Sequence, residues 1–179
     1  MHRRNLFAVL AAVIASFPMM ALAAEAQELS RVERQIRHEL VTLPFYSVFD
    51  NLSFRVDGSK VTLMGKVTRP TLKSGAEKVI EDIEGVEEID NQIEVLPVSP
   101  NDDQIRLAAY RAIYGHSAMT RYAIQAVPPI HIIVENGNIT LEGVVAPEGE
   151  KTIAGSQANG VNGAFSVTNN LRVEKDEKE

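Results

Sequence analysis

Two seven-residue stretches of the sequence match each other: Val61-Thr62-Leu63-Met64-Gly65-Lys66-Val67 and, 78 residues further along, Ile139-Thr140-Leu141-Glu142-Gly143-Val144-Val145. The match extends without a gap from 56–95 to 134–173, and ten of these forty positions are identical. A gap-free match of this length is typical of an internal duplication. The chain is therefore predicted to contain one structural unit twice.

Each unit is predicted to fold in the order helix, strand, strand, helix, strand. In the first unit the first two strands cover 52–57 and 60–67, and Asp57-Gly58 supplies the turn between them, since both residues tolerate a positive φ. The second helix spans 71–84 and ends at Gly85 in a left-handed conformation. A strand–helix–strand connection implies parallel strands. Each unit is thus an α+β module with a three-stranded mixed sheet and two helices on one face.

The remaining elements follow from the same patterns. The first helix is expected from Leu29 to Leu43, with Ser30 and Glu33 forming a capping box, and its counterpart in the second unit over 104–116. The second helix of the second unit should be shorter, because an interior glycine costs about 1 kcal/mol relative to alanine. Its glycines are Gly149, Gly155 and Gly160.

The final strand of each unit is interrupted by an asparagine, Asn91 in the first and Asn169 in the second. Each could bind a polar group of a ligand, or its amide could satisfy the backbone of a nearby turn or bulge. Since the asparagine occurs in both copies, we favour the structural role.

The first 23 residues are predicted to be a secretory signal peptide. A basic start, His2-Arg3-Arg4, precedes an apolar run over 6–18, and Ala21-Leu22-Ala23 forms a small-x-small cleavage site. The run is shorter than the roughly 20 apolar residues of a membrane span. We therefore expect a protein exported to the periplasm with an N-terminus near Ala24; an uncleaved anchor is the alternative.

Composition excludes several functions. The 179 residues carry a formal charge of −6 and include neither cysteine nor tryptophan. The missing cysteines exclude disulfides and thiolate chemistry, and the acidic balance argues against nucleic-acid binding. The histidines His38, His116 and His131 lack metal-site spacing, and no nucleophile or phosphate-loop motif is present. The sequence predicts no catalytic residue, no cofactor and no metal.

The two seven-residue stretches, together with Gly85-Val86 and Gly163-Ala164 and with Asn91-Gln92-Ile93 and Asn169-Asn170-Leu171, resemble the BON domain family. The resemblance places one domain at 29–96, a linker at 97–101, a second domain at 102–174 and a charged tail at 175–179. It implies a bacterial envelope protein for envelope maintenance or osmotic and membrane-stress protection. Some members bind phospholipid and others are periplasmic chaperones, and the family has no catalytic motif to carry over.

The first helix of the second unit carries the candidate binding face. No acidic residue occurs from Gln104 to Val134, and aromatic and basic residues gather where a charged outer face is expected. Tyr and Arg side chains suit a membrane interface, so weak peripheral contact with anionic phospholipid is one interpretation. The others are contact with an envelope protein and packing of this face on the first unit or on a second copy of the chain. The candidate residues are Arg106, Leu107, Tyr110, Arg111, Tyr114, Arg121 and Tyr122.

Overall fold

The computed structural model describes residues 27, 31–125 and 127–174. The predicted signal peptide, the tail at 175–179, and Leu29 and Ser30 at the start of the first helix lie outside the described residues. Within the described parts, the duplicated order of elements is confirmed.

The first module contains α1 (31–41), β1 (Asn51–Asp57), β2 (Lys60–Val67) and α2 (Pro70–Glu81). Its final strand is divided into β3 (Glu88–Asn91) and β4 (Glu94–Val95). Gly85 has a φ of +98°, as expected, although α2 ends at Glu81, before the predicted Glu84.

The second module repeats this order with α3 (Pro100–Tyr114), β5 (Ile130–Glu135), β6 (Asn138–Val145) and α5 (Glu148–Asn159), followed by β7 (Ser166–Asn169) and β8 (Arg172–Val173). The longer connection between α3 and β5 contains a 3-10 turn (Ser117–Met119) and the short helix α4 (Thr120–Ala123). α3 begins four residues before the predicted start, because Ser99 caps it by accepting a hydrogen bond from the backbone N–H of Asp102 (3.2 Å).

Each sheet is mixed and has its second strand in the centre. β1 pairs antiparallel with β2, from Asp57 opposite Lys60 at the turn to Asn51 opposite Lys66. β3 and β4 both pair parallel with β2, and the second module repeats these pairings. The predicted mixed sheet is confirmed, with its third strand broken in two.

The break in the third strand is made by the repeated asparagine. The side chain of Asn91 donates to the carbonyl of Lys73 in α2 (3.0 Å) and accepts from the backbone N–H of Ile93 (3.2 Å). Asn169 makes the matching bonds to Lys151 and Leu171. The structural role of the asparagines is confirmed, since their amides bind the fold's own backbone.

The expectation of a shorter second helix in the second module is wrong, because α5 and α2 are both 12 residues long. Gly149 lies in the first turn of α5 and Gly160 caps its end, so only Gly155 is deep inside. A Cβ at Gly155 would lie 2.7 Å from the side-chain nitrogen of Asn169. The glycine therefore leaves room for the asparagine turn of the third strand to approach the helix.

The modules are joined through the segment between α1 and β1. Val48, from the first module, is buried in the core of the second, and its carbonyl accepts a hydrogen bond from the N–H of Ile132 (2.7 Å). Lys66 and Glu135 form an ion pair across the junction (2.5 Å). The core of the second module is therefore completed by a residue of the first.

Candidate functional site

The structure separates the seven predicted binding residues into two groups. Arg106, Tyr114 and Tyr122 are almost fully buried, with 5%, 5% and 6% of their surface exposed. Leu107, Arg111 and Arg121 reach solvent and Tyr110 is half-buried. The interpretation that places all seven on an exposed binding face is therefore wrong for the first three, whose hydrogen bonds hold them inside.

Tyr114 lies against the outer edge of β5. Its hydroxyl donates to the carbonyl of Ile130 (2.5 Å) and accepts from the N–H of the same residue (3.2 Å). Burial raises the pKa of Tyr114 well above its usual value. Since both backbone groups of a buried edge residue need partners, the tyrosine is held inward.

Arg106 closes the other end of the same edge. Its guanidinium donates to the carbonyl of Val134 (2.6 Å) and to the carboxylate of Asp103 (2.5 Å). The long apolar stem of arginine lets it cover the sheet while the head reaches a backbone acceptor. Together with the hydrogen bond from the N–H of Ile132 to the Val48 carbonyl, these contacts provide partners for four of the six outward backbone groups of β5. We call this arrangement the sealed edge.

Tyr122 and Arg121 tie α4 to α5. The hydroxyl of Tyr122 donates to the carboxylate of Glu150 and accepts from the N–H of Ala146 (2.9 Å). The Arg121 guanidinium donates to Glu150 (2.5 Å) and lies over the Tyr122 ring, 4.8 Å from its centroid. The hydrogen bond to Glu150 raises the pKa of Arg121. This cluster is a structural link, with its hydrogen-bonding groups already occupied.

Of the three remaining α3 residues, Leu107 lines a groove of about 570 Å³ between α3 and the first module. Leu107 is 46% exposed there, and Arg111 lies one turn further along the same side of α3. Tyr110 contacts Phe49 edge-on, with ring centroids 6.2 Å apart. The groove is lined by Phe45, Ser47, Phe49, Thr68, Arg69, Asp103, Arg106 and Leu107.

Sequence analysis missed the contribution of the first module. Phe45 is 68% exposed and has a φ of +71°. The guanidinium carbon of Arg69 lies over the Phe45 ring, 4.9 Å from the ring centroid. These two residues come from separate loops, so no local pattern connects them with α3. We call the surface formed by Phe45, Arg69, Leu107, Tyr110 and Arg111 the junction patch. It combines exposed apolar side chains with cations.

The buried carboxylates serve the fold. Asp50 accepts hydrogen bonds from the backbone and side chains of Ser47 and Thr68, at 2.7 to 3.1 Å. Asp102 accepts from the N–H groups of Asn136 and Gly137 in the β5–β6 turn (3.0 and 2.8 Å). Residues 27, 31–125 and 127–174 contain no group of three or more His, Asp and Glu placed to hold a metal. No helix in the described ranges is long and apolar enough to cross a bilayer.

No curated protein sequence matches the chain. Two similar solved structures are both of CdsD, a structural protein of the type III secretion system of Chlamydia trachomatis, one of them its C-terminal domain. Sequence identities are 13% and 14% and TM-scores 0.28 and 0.30. The matches cover 79% and 82% of this chain and 96% and 94% of those chains.

A family model is more informative. The BON domain model matches residues 29–97 and again residues 116–175, one match in each half of the duplication. These two regions include the strand pairs and asparagine turns on which the resemblance in the sequence rests. The chain therefore belongs to the BON domain family and carries two copies of the domain in tandem.

Proposed function

We propose that this chain is a non-enzymatic protein of the bacterial periplasm that maintains the envelope under osmotic or membrane stress by binding weakly to anionic phospholipid surfaces. The observation that carries the proposal is the junction patch, where Phe45 and Leu107 are exposed beside Arg69 and Arg111. BON domain proteins are typically associated with the envelope. The predicted signal peptide supports export, and mass spectrometry of the secreted chain should find an N-terminus near Ala24.

The chemistry of the junction patch suits a lipid headgroup region. Apolar side chains can enter the boundary between headgroups and acyl chains, while guanidinium groups bind phosphates. Each basic residue near an anionic surface contributes about 1 kcal/mol, so Arg69 and Arg111 provide only modest attraction. Without residues 1–23, which carry two arginines and no acidic residue, the chain has 16 basic and 24 acidic residues, and its formal charge of −8 opposes approach. Binding should therefore be weak and strongly reduced by salt.

Vesicle flotation with the chain beginning at Ala24 tests this proposal. The protein should float with phosphatidylglycerol vesicles at low salt and stay behind with phosphatidylcholine. Leu107→Asp and Arg111→Glu should each weaken recovery about tenfold or more, because they place a negative charge against the lipid surface. Ile124→Asp is the matched control, since Ile124 is an exposed apolar residue (82%) outside the junction patch. Failure to float at low salt, or equal loss in all three variants, would reject the proposal.

A chaperone-like role is the second candidate, and the shape of the groove favours it. Phe49 and Leu107 line a recess that could accept an apolar side chain of another protein. Suppression of client aggregation that needs no lipid and is lost in Leu107→Asp would support this function over lipid binding.

A further inference from the structure

The four edge strands of the two sheets differ in length and in how far their outward backbone groups are hydrogen bonded. β3 with β4, and β7 with β8, are short strands broken by the asparagine turn. Short and interrupted edges discourage pairing with other chains. The third edge, that of β5, is the sealed edge. β1, with seven uninterrupted residues, is the fourth.

The backbone of β1 is less fully paired than that of β5. Because Asp57 pairs with Lys60 across a two-residue turn, Leu52, Phe54 and Val56 direct their N–H and C=O groups away from β2. The N–H of Leu52 hydrogen bonds with Tyr46. Across the ranges that the structure describes, no hydrogen bond reaches the outward backbone groups of Phe54 and Val56.

The sequence explains this difference. The first helices of the two units align at an offset of 73 residues, five fewer than the offset of the strands. In this alignment Arg106 corresponds to Glu33 and Tyr114 to Val41. A carboxylate and an aliphatic side chain cannot donate a hydrogen bond to a strand carbonyl. Beyond Tyr46, which lies at Leu52, a groove of about 540 Å³ runs beside this edge. It is lined in part by Arg37, Val41 and Phe54 of the first module and by Glu142, Gly143 and Arg172 of the second.

We propose that β1 pairs antiparallel with β1 of a second copy of the chain, about a two-fold axis at Phe54. In this register Phe54 faces the partner's Phe54, and Leu52 faces the partner's Val56. Both outward groups of Phe54, the carbonyl of Leu52 and the N–H of Val56 then gain partners, while the N–H of Leu52 keeps Tyr46, and an aromatic pair forms at the axis. The two sheets become one continuous sheet across the dimer.

Charge favours this register over its neighbour. On the exposed face of β1, Ser53 lies opposite the partner's Arg55, and Asn51 lies opposite the partner's Asp57. No two like charges face each other. Moving the axis to Arg55 would place this arginine opposite the partner's Arg55, which is unfavourable. In this register each charged side chain of β1 faces a neutral polar side chain of the partner, so the strand can pair with its own copy without like-charge contact, and we therefore propose a second copy as the occupant.

Sedimentation of the chain beginning at Ala24, over a range of concentrations, tests the pairing. The wild type should be a reversible monomer–dimer mixture. Ser53→Arg puts an arginine opposite the partner's Arg55 at two symmetric places and should raise the dimer dissociation constant about tenfold. Ser53→Glu, matched in size and exposure, should lower it, and Arg55→Glu added to Ser53→Arg should restore dimerisation.

A cross-link checks the register itself. The chain has no native cysteine, so a mixture of Ser53→Cys and Arg55→Cys proteins should form a disulfide-linked heterodimer, whereas either protein alone should link far less. A wild type that stays monomeric at high concentration would overturn the proposal. A dimer that ignores the charge at position 53, or a monomer that binds an extended peptide of another protein at β1, would also overturn it. Flotation does not depend on β1, so the two proposals fail separately.

Discussion

Replacing Tyr114 with phenylalanine isolates the contribution of one hydroxyl to the sealed edge. The ring stays, so no cavity forms, but the hydroxyl that bonds both backbone groups of Ile130 is lost. Ile130 is 0% exposed, so water cannot replace these bonds without rearrangement. An unpaired buried polar group costs about 1–3 kcal/mol. Since the N–H and the carbonyl of Ile130 both lose their partner, we expect the free energy of unfolding to fall by about 2 kcal/mol.

Urea unfolding followed by far-ultraviolet circular dichroism measures this loss, since the chain has no tryptophan to report fluorescence. For a chain of this size the same change lowers Tm by roughly 4–8 °C. The amide hydrogen of Ile130 should also exchange with solvent faster than in the wild type.

Tyr110→Phe is the matched control. Tyr110 lies one turn earlier on α3, is half-buried, and its hydroxyl has no hydrogen bond to any residue that the structure describes. Its loss should change stability by less than about 0.5 kcal/mol. If both variants are equally stable, or equally destabilised, the hydroxyl of Tyr114 does not hold the edge of β5 and the reasoning is refuted.

Three further predictions concern buried or tightly packed groups. Burial lowers the pKa of His131 below its usual 6.5, so the unfolded chain binds the proton more readily than the folded chain. The stability contributed by the neutral histidine is fully present above pH 6.5 and is lost as the pH falls through the folded-state pKa. His131→Gln should therefore make the urea midpoint fall less between neutral and acidic pH. Asp50→Ala removes a carboxylate that accepts four hydrogen bonds and should cost roughly 3 kcal/mol in urea unfolding, and an effect under about 1 kcal/mol would contradict that role. Gly143→Ala places a Cβ 1.9 Å from the carbonyl oxygen of Pro129 at a φ of +120° and should cost more than about 3 kcal/mol, whereas Gly58→Ala, in open space, should cost about 1 kcal/mol; equal costs would refute the steric argument.

The duplicated strands could be predicted because they are defined by local patterns. Val61, Leu63 and Val67 are separated by even numbers of residues, so they lie on the same face of a strand, and all three are fully buried. β2 has the predicted bounds. The asparagine turns could also be predicted, since each amide bonds to its own neighbourhood and to the adjacent helix. Each asparagine accepts a hydrogen bond from the residue two positions later, and its occurrence in both copies pointed to this structural role.

The side of α3 that faces solvent could not be predicted from a helical wheel. The wheel assigns long polar side chains outward, but Arg106 and Tyr114 turn inward to bond backbone groups 28 and 16 residues away. Their acceptors are carbonyls of an edge strand, which have no signature in the sequence. The junction patch was missed for a related reason, because Phe45 and Arg69 are brought to Leu107 only by the packing of the two modules.

The sealed edge has a consequence for how far copies of this chain can assemble. A chain with two open edge strands can pair with another copy at each of them, and repeated pairing of this kind produces filaments. Here Tyr114, Arg106 and the Val48 carbonyl block one border inside each molecule. The proposed pairing through β1 would therefore stop at two molecules, because the edges formed by β3 with β4 and by β7 with β8 are short and interrupted.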